Sequence, residues 1–186
     1  MATGETPSVA LSLAQQRESL WADHRLKVYA VIRGSRVAGL RERLARADVA
    51  DWHGLWTGEL EPEEQAAAPV LVLLRPVSAF TDWLIAKGAL DFPAWGVLAL
   101  SVSPFLAMRA HGRALCRAQL PSGESLRLDW ADPEVLGALL PAAPLPQLQR
   151  VFSGMDAVVA PEVGRWTRWS LPLGRLQVQH TAVLPA

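Results

Sequence analysis

Three short apolar runs constrain this chain more than anything else in it. Leu26 to Gly34 reads LKVYAVIRG, Pro69 to Arg75 reads PVLVLLR, and Trp95 to Ser101 reads WGVLALS. Each has the length of a strand. The second is continuously apolar, which suits a strand covered on both faces, and the third reads as another buried strand. Covering such strands takes helices, and helix-patterned segments stand before and between them. Ser8 to Asp23 has Leu13, Leu20 and Trp21 as inward residues. In RVAGLRERLARA, Val37, Leu40 and Leu44 share one helical face, while Arg36, Arg41, Arg43 and Arg46 spread over the others. In SAFTDWLIAKG, Ser78 is placed to cap a helix and Gly88 to stop it, and Phe80, Trp83, Leu84 and Lys87 share a side.

The second half is patterned more loosely. Ser103 and Pro104 predict a helix start with proline at the first position, and Phe105, Met108 and Leu115 would face the core. Cys116 to Trp130 predicts a hairpin turning at Pro121-Ser-Gly-Glu124. Two short helices follow, about Pro133 to Leu140 and Pro146 to Ser153, and Leu176, Val178 and His180 alternate with glutamines as a final strand would. The stretch DWHGLWTGELEPEEQAAAP has no period and reads as a loop with an acidic tip. The order predicts an α/β fold: a mixed sheet of about five strands with flanking helices, followed by a small helical lobe. Crossover helices would join the first three strands, and the hairpin would form one side. The expected organisation of the 186 residues is one domain: a sheet lobe over about 26–131, a helical lobe over about 132–160 and a C-terminal extension over 161–186.

Composition narrows the function classes. The formal net charge is +0, so there is no global attraction for nucleic acid or an anionic membrane, and neither is expected as a partner. Lys27 and Lys87 are the only lysines beside many arginines, as in a GC-rich bacterial genome. Cys116 is the single cysteine, which excludes an intrachain disulfide and a cysteine-based zinc site. The first residues carry no positive n-region, and no apolar run reaches the roughly 18 residues of a membrane helix, so a soluble cytoplasmic protein is expected.

Asp132 is the sharpest single residue. It precedes Pro133 at the head of a helix whose apolar face is Val135, Leu136, Leu139 and Leu140. Proline at N1 loses no needed N–H, and an aspartate just before it accepts from the free amides of the first turn. A catalytic acid there would need a partner base, acid or metal, and none is near in sequence. Gly34 to Gly39, GSRVAG, follows a strand and opens a helix as a phosphate loop would, but Leu40 and Arg41 stand where that motif needs Lys and Ser or Thr, so a tight turn is the better reading. His24, His53, His111 and His180 have no metal-binding spacing. No catalytic residue, metal or cofactor is expected. Tryptophan is abundant, with eight residues. Trp83, Trp95 and Trp130 sit in patterned elements and read as core. Trp52, Trp56, Trp166 and Trp169 sit in poorly patterned segments, where they either pin loops to the core or form a partner-binding surface.

These motifs, in this order, resemble the adaptor or chaperone domain of bacterial type VI secretion systems. That family's signature is a late strand ending in an aromatic, then Asp-Pro-Arg-Val-Leu opening a helix. Here it stands as Trp130-Ala131-Asp132-Pro133-Glu134-Val135-Leu136. YAVIRG, APVLVLL, DWLIAKG, WGVLAL and LLPAAPLPQLQRVFSGMDAVV resemble its other elements, so the likeness covers about residues 26–160. Four positions depart from its pattern. Arg33 stands where aspartate is usual, Asp129 where an arginine often precedes the aromatic, Glu134 where arginine is usual, and Ala131 where tyrosine is common. The resemblance implies a non-enzymatic factor that binds a cognate effector in the cytoplasm and loads it onto the VgrG spike. The other readings are a small α/β enzyme with a phosphate-binding turn at Gly34, and an immunity protein that neutralises a toxin.

Overall fold

In the computed structural model, which describes residues 10–120 and 122–184, the three apolar runs lie side by side in the middle of an eight-stranded sheet. The first half of the chain forms β1 (Leu11–Ser12), α1 (Leu13–Ser19), β2 (Lys27–Ile32), α2 (Leu40–Ala45), β3 (Trp52–Gly54), α3 (Pro62–Ala67), β4 (Val70–Leu73) and α4 (Ala79–Trp83). A π-helical turn (Leu84–Gly88) leads into α5 (Ala89–Asp91), then β5 (Gly96–Ser101) and α6 (Phe105–Leu115). The remainder forms β6 (Arg117–Gln119), β7 (Ser125–Arg127), α7 (Pro133–Ala142), α8 (Leu145–Phe152), β8 (Ala157–Glu162), β9 (Arg165–Ser170) and β10 (Gln177–Leu184). The strand order is β1-β10-β9-β8-β5-β2-β4-β3.

The central strands are buried on both faces, and alternate side chains feed two separate cores. Val28, Ala30 and Ile32 of β2 enter one core with Leu98 and Leu100 of β5 and with Leu40, Leu44 and Phe80 of α2 and α4. Tyr29 and Val31 enter the other with Val97 and Ala99, beside Met108 and Leu115 of α6, Leu136 and Leu140 of α7, and Leu148 of α8. This period-two division explains why the runs read as continuously apolar.

The fold class is the one the sequence predicts, a mixed sheet with flanking helices, but its extent and connections differ. The sheet has eight strands rather than about five. β2 lies between β4 and β5 and runs antiparallel to both, so the first three predicted strands are not parallel neighbours joined by crossovers. The one parallel pairing among the described residues is β1 with β10. The hairpin forms its own two-stranded sheet, β6 with β7, away from the main one. Its second strand stops at Arg127, leaving Leu126 exposed and only Trp130 of the expected apolar face fully inside. Residues 157–162, placed in a helical lobe and its extension, form β8, which pairs with β5. β9 and β10 then continue the same sheet, so its strands come from both sides of the expected lobe boundaries.

Smaller corrections have local causes. The expected loop after Asp51 contains β3 and α3, the latter capped by the reciprocal Glu61 and Glu64 pair. Ser78 caps α4 as expected, accepting from the Thr81 amide. Gly88 does not stop the helix: the π-turn carries the chain through it. A side chain at Gly88 would lie 3.2 Å from Trp95 Nε1, so the glycine makes room for the buried indole. Pro104 is the cap of α6 rather than its first residue. The first helix is shorter than predicted, beginning after the Ser12 cap with its Gln15 partner. Ser8 and Val9 of that expected helix, and Pro121 of the expected hairpin turn, lie outside the described residues.

Gly34 marks the closest backbone approach in the first half of the fold. A Cβ there would overlap the carbonyl oxygen of Ala66 and lie 2.6 Å from that of Ala68, at the end of α3. Backbone cannot give way as a flexible side chain does. Gly34→Ala is therefore expected to cost about 3 kcal/mol by overpacking. Gly137, inside α7, has nothing within 4 Å of an added Cβ, so Gly137→Ala should stabilise the chain by about 0.5–1 kcal/mol through helix propensity. Urea unfolding of the two variants checks both signs. A Gly34→Ala midpoint equal to wild type would contradict the close-packed turn.

Candidate partner-binding surfaces

Asp132 is the helix cap that its sequence context predicts. One carboxylate oxygen accepts from the Glu134 amide at 2.9 Å, and Pro133 fills the first position of α7. The other oxygen has a second role. It lies 2.7 Å from Nη2 of Arg33, which projects from the end of β2. Arg33 Nε lies 2.7 Å from Asp129 Oδ2, and Nη1 donates to the Ala94 carbonyl at 3.0 Å. Ala94 is itself in the left-handed region at φ 55°, a conformation costly for a residue with a Cβ. Arg33 is only 7% exposed. A guanidinium removed from water to this degree needs its donors satisfied by well-placed acceptors, and all three of its nitrogens have them. Arg33 and Asp129, singled out in the sequence as departures from the pattern the chain resembles, are thus direct partners of opposite charge.

The other residues of the Trp130 to Leu136 motif serve the same junction. Trp130 is buried in the second core and donates its indole N–H to the Gly112 carbonyl of α6 at 3.1 Å. Leu136 and Pro133 are buried, and Val135 is half-buried. The motif therefore fastens hairpin, α6 and α7 together.

The four tryptophans of the expected partner surface divide into two pairs. Trp166 and Trp169 of β9 are only 3% and 4% exposed, and they point into the first and second core respectively. Of the two readings for their rings, core packing is the one observed, and their assignment to a partner surface does not fit: β9 is an interior strand between β8 and β10, and its rings are covered on both faces. Trp52 and Trp56 remain half-exposed. Trp52 sits in β3, packed at the rim of the first core, and Trp56 follows that strand at the rim of the second. The Arg127 guanidinium lies 4.6 Å over the Trp56 ring and donates to Glu64 at 2.8 Å, which fixes the acidic loop against the hairpin.

Two open grooves were not legible in the sequence. One, of about 630 Å³, lies between α2 and α4, with Arg43 stacked 4.1 Å over Trp83 and with Arg46, Asp48 and Phe80 along it. The other, of about 330 Å³, runs between α7 and the β9–β10 pair, with Pro133, Gly137 and Pro141 on one wall and Thr167, Trp169 and Val178 on the other. The signal for the second was the four-residue spacing of Pro133, Gly137 and Pro141, which puts proline and glycine on one helical stripe. Its opposite wall comes from a strand pair distant in sequence.

The polar residues with chemical potential are mostly engaged structurally. His111 Nε2 lies 2.8 Å from the Val151 carbonyl, and His180 Nδ1 lies 3.1 Å from the Thr167 hydroxyl. Burial pushes the Cys116 thiol up to about 11, so at neutral pH it is not a thiolate. Among the described residues no three His, Cys, Asp or Glu side chains come together to hold a metal ion. At the Gly34 turn, the Ser35 amide donates to the Ala67 carbonyl, and Gly34 faces carbonyl oxygens, which repel an anion. No helix among the described residues is long and apolar enough to cross a membrane.

Residues 28–150 match a family model described as a domain of unknown function, DUF4123. The match runs from β2 into α8 and so includes the Arg33 junction, both half-exposed tryptophans and the α2–α4 groove. No curated protein and no solved structure matches.

The two roles of Asp132 separate by substitution. Asparagine caps helices as well as aspartate does but carries no charge. Asp132→Asn should lose about 2 kcal/mol, the contribution of a charged hydrogen bond to a buried partner. Asp132→Ala should lose about 1 kcal/mol more, because the cap goes too. Urea denaturation reads both. An asparagine variant as stable as wild type would show that the ion pair adds nothing.

Proposed function

The chain belongs to the DUF4123 family, and on that footing we propose that it is a type VI secretion adaptor, which binds a cognate effector in the cytoplasm and brings it to the VgrG spike. The observation that carries this reading is the ordered set of family motifs, from YAVIRG to the Asp132-Pro133 helix start, inside the matched residues 28–150. The geometry is compatible with holding a polypeptide. Two open grooves flank the sheet, and Trp52 and Trp56 offer part of their rings beside the β3 edge. Half-exposed tryptophans at such a rim gain contact area when a partner covers them. In this reading the chain performs no chemistry. It covers a segment of the effector until delivery, and its specificity resides in the surfaces around β3 and α7.

Trp52 and Trp56 test this reading. An aromatic anchor at an interface typically carries about 2 kcal/mol of binding, close to a thirtyfold change in affinity. Co-expression with the effector encoded beside the gene, followed by affinity capture, should recover a complex with wild type and much less with Trp52→Ala or Trp56→Ala. Thermal melts of the variants check that they fold. Undiminished capture by both folded variants would remove these rings from the binding surface. Absence of any effector or VgrG bound to wild type would overturn the adaptor reading.

A further inference from the structure

β3 is the last strand of the sheet, and among the described residues no strand lies beside its outer edge. Its hydrogen-bond phase is fixed by its neighbours. The Leu73 amide donates to the Asp51 carbonyl, and the Leu55 amide donates to the Pro69 carbonyl. Residues 51, 53 and 55 therefore turn their backbone groups toward β4, and the N–H and C=O groups of Trp52 and Gly54 point outward. Arginines flank this edge from both faces of the sheet. Arg41 of α2 comes from the first-core side, and its Nη2 would lie 3.2 Å from a Cβ at Gly54, so the glycine leaves room for it. Arg113 of α6 comes from the second-core side and donates to the outward Gly54 carbonyl at 3.3 Å. Arg109 lies one turn earlier on α6, and burial followed by the charges of Arg109, Arg113 and Arg41 holds the His53 pKa below the ordinary histidine value. None of the three arginines has a carboxylate partner among the described residues, and the Nε atoms of Arg109 and Arg113 are buried without any acceptor.

We propose that the outer edge of β3 receives a short, extended, acidic segment of a partner protein, added as a further strand with its carboxylates between Arg41 on one face and Arg109 and Arg113 on the other. The edge favours a peptide over a phosphate, because it offers carbonyls as well as amides, and only another strand pairs with both. A second copy of this chain does not fit, since pairing two β3 edges would set like charges opposite each other. The acid-rich loop beyond Trp56 limits the acidic part of the segment to about the length of β3, roughly 10 Å at a strand's rise per residue. The surface adjoins Trp52 and rests on the adaptor reading, of which it specifies the partner's chemistry.

The test is an amide NMR titration of the labelled full chain with the blocked peptide Gly-Thr-Val-Glu-Glu-Thr-Gly, whose adjacent glutamates project to opposite faces of a strand, with its glutamine analogue, and with inorganic phosphate. The acidic peptide should shift the Trp52 and Gly54 amides in a saturable way. The glutamine analogue should bind at least tenfold more weakly, and phosphate should leave those amides unpaired. Arg109→Gln, which removes no hydrogen bond among the described residues, should weaken the acidic peptide about tenfold while leaving the melt unchanged. Arg41→Gln, which also gives up the bond from Nε to the Gln65 carbonyl, should weaken it about tenfold at a temperature where its melt shows it folded. Equal binding of the glutamine analogue, equal binding by the arginine variants, or no shift with the peptide would each overturn the proposal. Phosphate producing the same shifts as the peptide would reduce the site to an anion site and overturn it as a strand-docking edge. These outcomes are independent of effector capture by wild type, so the surface and the adaptor reading fail separately.

Discussion

The Arg33 guanidinium ties together four parts of the chain, of which only β2 and β5 share a backbone ladder. It leaves the end of β2, holds the left-handed Ala94 turn that leads into β5, meets Asp129 as the hairpin returns, and meets Asp132 at the start of α7. Each contact is charge-assisted, two made to carboxylates and one to the Ala94 carbonyl. Asp132 answers to two demands at once, the free amides of a helix start and the buried cation, and one side chain in one place meets both. Without the cation, α7 would keep its cap and the core packing of Leu136 and Leu140 but lose its charged tie to the sheet end.

The position of α7 governs the surfaces available to a partner. α7 forms one wall of the groove against β9 and β10, and its Leu136 and Leu140 complete the second core. The same core anchors α6, whose Arg113 reaches the β3 edge. A rigid interior thus presents two different kinds of surface: a groove with a proline and glycine wall, and a charged strand edge beside two half-exposed tryptophans. Edge strands invite pairing, and natural proteins commonly guard them with charge. The arginines around β3 do so here in a way that still admits a segment of opposite sign.

Local signals were read well, and long-range ones were not. The three apolar runs gave the central strands, and Asp132 before Pro133 gave a cap, because both depend only on neighbours in sequence. The Ser78 cap was legible for the same reason. β3 was missed because Trp-His-Gly has no alternation long enough to register, and its strand character comes from pairing with β4. β8 and β9 were missed because Ala-Pro-Glu and the charged RWTRWS mask a pattern that the finished sheet makes plain. Without that strand assignment, Trp166 and Trp169 stay open between core and partner surface in the sequence. Arg33 and Asp129 stand out in the sequence as departures from the pattern the chain resembles, but 96 residues separate them, and nothing local shows that they pair.

The central claim is that Arg33 and Asp129 act as one unit at the buried junction. A double-mutant cycle of Arg33→Met, Asp129→Ala and both together, read by urea unfolding, tests it most directly. Each single variant leaves a charge of the pair without its partner, and Arg33→Met should lose about 3 kcal/mol or more. The double variant should lose about 2 kcal/mol less than the sum of the two, the upper range of coupling for residues in direct contact. Losses that simply add in the double variant would contradict the account, and would mean that the two charges occupy the junction without holding it.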